Sequence, residues 1–314
     1  MTICQPNQQA ITKATTLLKD GGVVSFATET VYGIGCDTFN IDAIKTIYAL
    51  KNRPNNNPMI AHILDVAWVN QLATDWCEQC DLLAEAFWPG PLTIVLPKKE
   101  NVPSEACGGF GTIAMRCPSH PVARMLLTSF DSPISAPSAN VSGRISPTTA
   151  KHVEDEFAGE VLIINGGSCE KGIESTVISM VDTPTVLRLG SVSLEAIESR
   201  IGNVWCASST TQTNSPGTTL RHYAPHAPVK LFTKEQVSEL DDTTCVVLAL
   251  HGTPQKSKQI IQMPTTSDLY ARHLYASLRE ADTANPKVIA IESPPSGAQW
   301  NAIHDRLHRC CAEE

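Results

Sequence analysis

Ile41-Asp42-Ala43-Ile44-Lys45-Thr46-Ile47-Tyr48-Ala49-Leu50, then Lys51-Asn52-Arg53-Pro54-Asn55-Asn56-Asn57-Pro58, then Met59-Ile60-Ala61-His62-Ile63-Leu64, runs from helix through loop to strand without a break. Asn40 is placed to cap a helix that carries Ile41, Ile44, Ile47 and Tyr48 on one side. Proline stops helix continuation and biases the residue before it to extended geometry, so Lys51 and Arg53 stand on a defined helix exit. Two cations so close together stand out in a chain of formal net charge -8. Nothing in the loop suits packing, and its polar residues suit holding an anion. The competing reading is a solvated helix end, where Lys and Arg settle against the dipole. On this segment alone that reading is the commoner.

Helix and strand signals alternate on both sides. Ile11, Ala14, Leu17 and Leu18 form a helical face that Gly21-Gly22 ends, and Val23–Ala27 reads as a strand. Further strands are expected at 59–64, 92–96, 112–116, 134–137, 161–164, 175–181 and 185–189. Helices are expected at 66–73, 77–87, 120–129, 148–157 and 193–201. This is an α/β pattern, and strands that follow one another directly point to a mixed sheet. Residues 207–219 are rich in Ser and Thr with no apolar period, and read as a linker. Beyond them lies a smaller α/β pattern, with strands near 229–232, 245–250, 259–262 and 287–291 and helices near 267–281 and 298–310. In the last helix Trp300, Ile303 and Leu307 recur at helical spacing.

At 314 residues, 42% of them hydrophobic, the chain has enough apolar material for one large or two ordinary domains. Its acidic balance argues against coating nucleic acid through overall charge. No apolar run approaches the roughly 18 residues of a membrane span, and the N-terminus lacks signal-peptide features, so a cytosolic location is expected. Of eleven cysteines, Cys77 and Cys80 form a lone CxxC without a second pair at zinc-ribbon distance. They read as small helix residues beside Leu82, Leu83 and Phe87, and no disulfide framework is implied.

The P-loop, dinucleotide, nucleophile-elbow and HExxH motifs are missing. What the chain has is a set of small-residue polar loops beside strands. Thr28-Glu29-Thr30-Val31-Tyr32-Gly33-Ile34-Gly35 suits close ligand approach, or equally a turn whose threonines satisfy the backbone. In Thr112-Ile113-Ala114-Met115-Arg116, strand alternation puts Thr112, Ala114 and Arg116 on one face. Arg116 is therefore either a fork for a carboxylate or phosphate or a solvated edge-strand arginine. Ser135 to Pro147 offers four serines and Asn140 to oxyanions, or is mere connection. Glu174-Ser175-Thr176-Val177 and Val186-Leu187-Arg188-Leu189-Gly190 each place a polar residue at a strand end.

In order, these segments resemble the Sua5/YciO/YrdC family, in its long form with a C-terminal Sua5 domain. Thr28–Gly35, Lys51–Pro54 with Asn57-Pro58, Phe87-Trp88-Pro89-Gly90-Pro91-Leu92-Thr93, Ala136–Gly143, Glu174–Val177, and Ser215-Pro216-Gly217 with Arg221-His222-Tyr223-Ala224-Pro225 carry the likeness. The resemblance implies a YrdC-like twisted mixed-sheet domain followed by a smaller Rossmann-like α/β Sua5 domain. Their expected bounds are 1–206 and 229–314, with 207–228 as linker and active-site lid. It implies an L-threonylcarbamoyladenylate synthase, a nucleotidyltransferase that uses L-threonine, bicarbonate and ATP with magnesium. Its product serves the threonylcarbamoyl modification of adenosine 37 in tRNAs reading codons that begin with A.

By the same resemblance, Lys51 and Arg53 serve the phosphates, and Asn57, Thr112, Ser138, Asn140, Ser146 and Arg188 line the ATP side. Thr30, His62, Arg116, Ala136 and Ser175 hold threonine, while Arg221, His222 and Tyr223 belong to the lid. No carboxylate cluster reads as a metal cage, so the ion's ligands would come mostly from phosphates. Hand-over to a threonylcarbamoyl-transferase complex is expected, and direct tRNA contact is left open. The chain departs from the family pattern at Ala27, where a proline is usual, at Thr218-Thr219-Leu220 in the linker, and at Leu189. Two other readings compete: an enzyme making a carbamoyl adenylate from carbamoyl phosphate, and a non-catalytic RNA-binding module. The second calls for aromatic residues among the cations, whereas Tyr48 is the only one near Lys51 and Arg53.

Overall fold

A computed structural model describes residues 3–207 and 222–312. The described residues divide into two compact units. The first comprises 3–142, 147–170 and 174–207, and the second comprises 143–146, 171–173 and 222–312.

In the first unit β1 (Ile3–Cys4), α1 (Gln8–Lys19), β2 (Val24–Phe26), β3 (Gly33–Asp37), α2 (Ile41–Leu50) and β4 (Ile60–His62) open the chain. The short α3 (Val69–Leu72), α4 (Glu78–Phe87), β5 (Leu92–Pro97), β6 (Thr112–Arg116), α5 (Pro121–Phe130) and β7 (Ile134–Ala136) follow. The unit closes with α6 (Ala150–Phe157), β8 (Leu162–Ile164), β9 (Thr176–Ser179), β10 (Thr185–Arg188), α7 (Leu194–Ile201) and β11 (Trp205–Cys206). Among the described residues these strands form one sheet in the order β1-β8-β2-β3-β7-β4-β6-β5-β9-β10-β11. The sheet is mixed. β4 runs parallel to β6 and β5 parallel to β9, while β5–β6, β4–β7 and β2–β3 are antiparallel.

Local chemistry starts both helices, at Asn40 as expected and at Asn7 besides. Asn7 caps α1 through Ala10 N at 2.9 Å, and Asn40 caps α2 through Ala43 N at 3.0 Å. The packed faces are narrower than their apolar patterns. Ile44, Ile47 and Tyr48 of α2 are buried, but Ile41 is 41% exposed, and in α4 Leu83 is buried while Leu82 is not. One segment read as loop is partly strand: Gly33–Asp37 pairs with both β2 and β7. Gly35 permits this, because a Cβ there would meet Ile134 Cγ2 at 2.5 Å and Phe26 Cε1 at 2.9 Å. The larger core cluster includes Ile113 and Met115, and a separate small one joins Ile60, Val95, Ala114 and Val177. The alternation expected along β6 is thus observed, and β6 is interior to the sheet, so Arg116 is no edge-strand residue.

The second unit holds β12 (Val229–Phe232), α8 (Lys234–Glu239), β13 (Asp241–Ala249), β14 (Lys256–Gln262), α9 (Ser267–Thr283), β15 (Val288–Glu292) and α10 (Asn301–Cys311). Its sheet, β12-β15-β13-β14, is parallel throughout. At its carboxyl edge, where open parallel sheets take ligands, Glu292 Oε2 accepts from Leu250 N, His251 N and Gly252 N at 2.7, 2.8 and 2.8 Å. The unit's own carboxylate occupies that nest of donors. No helix among the described residues is long and apolar enough to cross a membrane.

Candidate active site

Register decides which polar side chains of the first unit meet. His62 pairs with Arg116 across β4 and β6. One step beyond the paired Ile94 and Met115, Thr93 of β5 comes opposite Arg116. Directly opposed residues share a face, so Thr93, Arg116 and His62 form a polar row over three strands. The row continues the face on which Val95, Ala114 and Ile60 pack.

Arg116, 3% exposed, is the centre of this row. Its Nε donates to Gly90 O at 3.2 Å and its Nη1 to Thr30 Oγ1 at 2.8 Å, while Nη2 lies 2.6 Å from Glu29 Oε1. Thr28 Oγ1 donates to Val31 O at 2.6 Å and lies 2.9 Å from Thr30 Oγ1. Its proton is therefore spent, and Thr30 donates to it in turn. The result is a relay from Arg116 through Thr30 and Thr28 to the backbone, of the kind whose members polarise one another. Burial raises the Glu29 carboxyl pKa, but the Arg116 charge and hydrogen bonds outweigh it, and the net displacement is downward. His62 is pushed down to about 3, first by burial and then by Arg116, and is neutral at physiological pH. Its Nδ1 lies 3.1 Å from Ile60 O, and Phe26 meets the ring edge-on with centroids 5.9 Å apart.

Ser175 and Arg188, expected on opposite substrates, touch one another. Arg188 Nη2 donates to Ser175 O at 2.9 Å and to its Oγ at 3.1 Å, and Thr93 Oγ1 lies 2.8 Å from the same Oγ. Gly190 makes this contact possible. A Cβ there would lie 2.4 Å from Glu174 O and from Ser175 C. Ala136 ends β7 opposite Ile60.

The helix exit decides between the two readings of its cations. Lys51 caps α2 at its C-terminus and Asn52 follows at φ 48°, a left-handed turn that swings the chain away from the helix. Lys51, 1% exposed, sends its Nζ to Ser138 O at 2.6 Å and to Asn140 O. Arg53 Nη2 donates to Asn57 Oδ1 and to Pro58 O, both at 2.7 Å, and its Nε donates to Asn57 O at 3.0 Å. Both cations grip loops and neither is a solvated helix end. Lys51 is lowered well below the ordinary lysine value, first by burial and then by the Arg53 charge. Asn55 and Asn56 are exposed and stay outside this grip. Thr112 begins β6, and the β4–β6 register carried two residues back from Ile60 and Ala114 sets it level with Pro58.

Of four further expected residues, three belong to the second unit and one is not described. Ser146 is fully buried in a segment assigned to the second unit. Arg221 lies outside the described residues. His222 and Tyr223 are buried in the second unit, where Tyr223 stacks on Tyr275 at 5.5 Å and the Arg306 guanidinium lies 5.1 Å from its ring. Sequence reasoning quoted Glu29 and Thr93 inside motifs but gave them no role. The available signal was a carboxylate and a hydroxyl inside the small-residue segments that flank Arg116 and Ser175.

Residues 16–190 match the Sua5/YciO/YrdC family model, described as telomere recombination, and residues 192–312 match one described as threonylcarbamoyl-AMP synthase, C-terminal domain. The chain belongs to the Sua5/YciO/YrdC family. Among its relatives, the threonylcarbamoyl-AMP synthase of Pyrococcus abyssi is 36% identical, over 93% of this chain and 91% of that protein. The synthase of Bacillus subtilis is 42% identical over 72% of this chain and 67% of its own length. A crystal structure of Pyrococcus abyssi Sua5 complexed with L-threonine aligns with TM-score 0.93 and 34% identity, covering 99% of this chain and 98% of that one. As a Sua5-type protein, the chain has the mixed-sheet domain and the small parallel one that its motifs imply.

Proposed function

We infer that this Sua5-type chain is an L-threonylcarbamoyladenylate synthase. The threonine amine adds to bicarbonate with loss of water, and the carbamate oxygen then attacks the α-phosphate of ATP, releasing pyrophosphate. The product serves the threonylcarbamoyl modification of adenosine 37 in tRNAs that read codons beginning with A. The observation that carries this reading is the buried Arg116, flanked by the Thr30 hydroxyl and the neutral His62 on one sheet face. Such a cation suits an amino-acid carboxylate.

Neither step needs a protein nucleophile, and both need charge neutralised and reactants held in place. Lys51 and Arg53 exchange their loop carbonyls for phosphate oxygens. The lowered Lys51 helps, because an arriving anion raises its pKa and secures the ammonium form. Asn57, Thr112, Ser138, Asn140, Ser146 and Arg188 line the nucleotide, while Thr30, His62, Arg116, the Ala136 backbone and Ser175 hold threonine. Arg221, with His222 and Tyr223, serves the lid between a catalytic domain at 1–206 and a Sua5 domain at 229–314. Among the described residues no group of three His, Cys, Asp or Glu could hold a metal ion. Magnesium fits this site as an ion carried in on the ATP phosphates. A cytosolic location suits these substrates, with hand-over of the labile product to a threonylcarbamoyl-transferase complex.

The test is pyrophosphate release by the purified chain with Mg-ATP. Release should require both L-threonine and bicarbonate and stop when magnesium is chelated. Release driven by carbamoyl phosphate instead, or none under any condition, refutes the reading.

A further inference from the structure

Glu29 is a buried charge without a part in the steps above. It is 2% exposed, and its Oε2 accepts from Ser119 N at 3.2 Å. Its Oε1 pairs with Arg116 Nη2 at 2.6 Å, and neither of these two atoms has a further hydrogen-bond partner among the described residues. The other guanidinium nitrogens donate to Gly90 and Thr30. A charged donor and a charged acceptor thus sit side by side, both buried, each with the other as its partner. The attraction of a buried pair repays the desolvation of both charges only where further hydrogen bonds satisfy the remaining lone pairs and protons.

A ligand that satisfies both at once brings a carboxylate to the arginine and a cationic donor to the glutamate. In an α-amino acid those two groups are joined through one carbon, and standard bond lengths put nitrogen and carboxylate oxygen roughly 3 Å apart. That matches the scale of the 2.6 Å between Nη2 and Oε1. We propose that Glu29 is the seat of the substrate's α-ammonium group, beside the Arg116 that takes its carboxylate. The two charges close on each other, and a zwitterion opens the pair. Because a zwitterion adds no net charge, the buried site stays balanced. An amino acid stripped of its ammonium group delivers an unpaired anion and is refused. Glu29 thereby selects amino acids over hydroxy acids. This rests on the threonine reading above.

Calorimetric titration of the full chain tests it, with L-threonine and with its hydroxy-acid analogue, in which a hydroxyl replaces the ammonium group. The wild type should prefer threonine by roughly tenfold or more, as one charge-assisted contact allows. Glu29→Gln should weaken threonine by a similar factor, tighten the analogue, whose anion now balances Arg116, leave the KM for ATP unmoved, and so erase the preference. A variant that keeps the preference overturns the proposal. If Glu29→Gln does not fold, Glu29→Asp, which keeps the charge but withdraws it, carries the test: weakened threonine binding with the ammonium preference retained supports the proposal, and unchanged affinity overturns it. Wild-type pyrophosphate release keeps the two ideas apart, since its loss refutes the synthase and its persistence beside an unaltered Glu29→Gln preference refutes only the ammonium seat.

Discussion

Arg53→Ala is the most informative perturbation, because Arg53 both holds its own loop and is proposed to meet the phosphates. It ties its own loop, holding Asn57 O, Asn57 Oδ1 and Pro58 O. Removing it does not strand all three, for Asn57 O still receives Tyr48 Oη at 2.9 Å. Asn57 Oδ1 and Pro58 O lose their charged donor. At about 1–3 kcal/mol for each buried acceptor left unmade, less what entering water restores, the expected loss is about 2–4 kcal/mol. Turnover should fall further, by roughly a hundredfold or more, because a donor aimed at developing phosphate charge is lost as well. Arg53→Lys keeps the charge without the planar fork, so it should recover part of the turnover and little of the stability. Urea unfolding gives the first quantity and pyrophosphate release the second. An Arg53→Ala protein with an unmoved urea midpoint and near-normal turnover would show that the loop is only a helix end.

Two further expectations follow. Gly190→Ala puts a Cβ against the Glu174 and Ser175 backbone at 2.4 Å, so it should cost at least about 1–3 kcal/mol in urea and raise the KM for threonine through Ser175. Unchanged values for both would refute the close packing. His62 has a folded pKa of about 3 against 6.5 when unfolded, so its contribution to stability is present above pH 6.5 and lost as pH falls toward 3. Between pH 6.5 and pH 5, at about 1.4 kcal/mol per pH unit, the wild type should lose about 2 kcal/mol that His62→Gln does not. Equal slopes in the two proteins would contradict a buried neutral histidine.

Sequence reasoning reached far where chemistry is local. Asn40 marks its helix by capping, and Lys51-Asn52-Arg53-Pro54 marks its helix exit by proline. It was blind to which apolar residues lose water. Ile41 and Leu82 match their helical patterns and remain exposed, because a neighbour covers only part of each stripe. Gly33-Ile34-Gly35 looks like loop because glycine is a poor strand former, yet here the missing Cβ is what lets β3 lie against Phe26 and Ile134.

The sequence by itself determined the order of helices and strands, the two α/β patterns, the family, and the small polar segments from which a site could be built. Those follow from periodicity, capping and turn residues, which act over a few positions. Tertiary structure alone decided what the charges do. Lys51 reaches carbonyls 87 and 89 residues away, Arg116 meets Thr30 across 86, and Thr93, Arg116 and His62 align only through strand register. Burial then turned these neighbours into a low-lying histidine, a depressed lysine and a closed Glu29–Arg116 pair. Dielectric surroundings and long-range pairing belong to the folded chain, and no stretch of residues carries them alone.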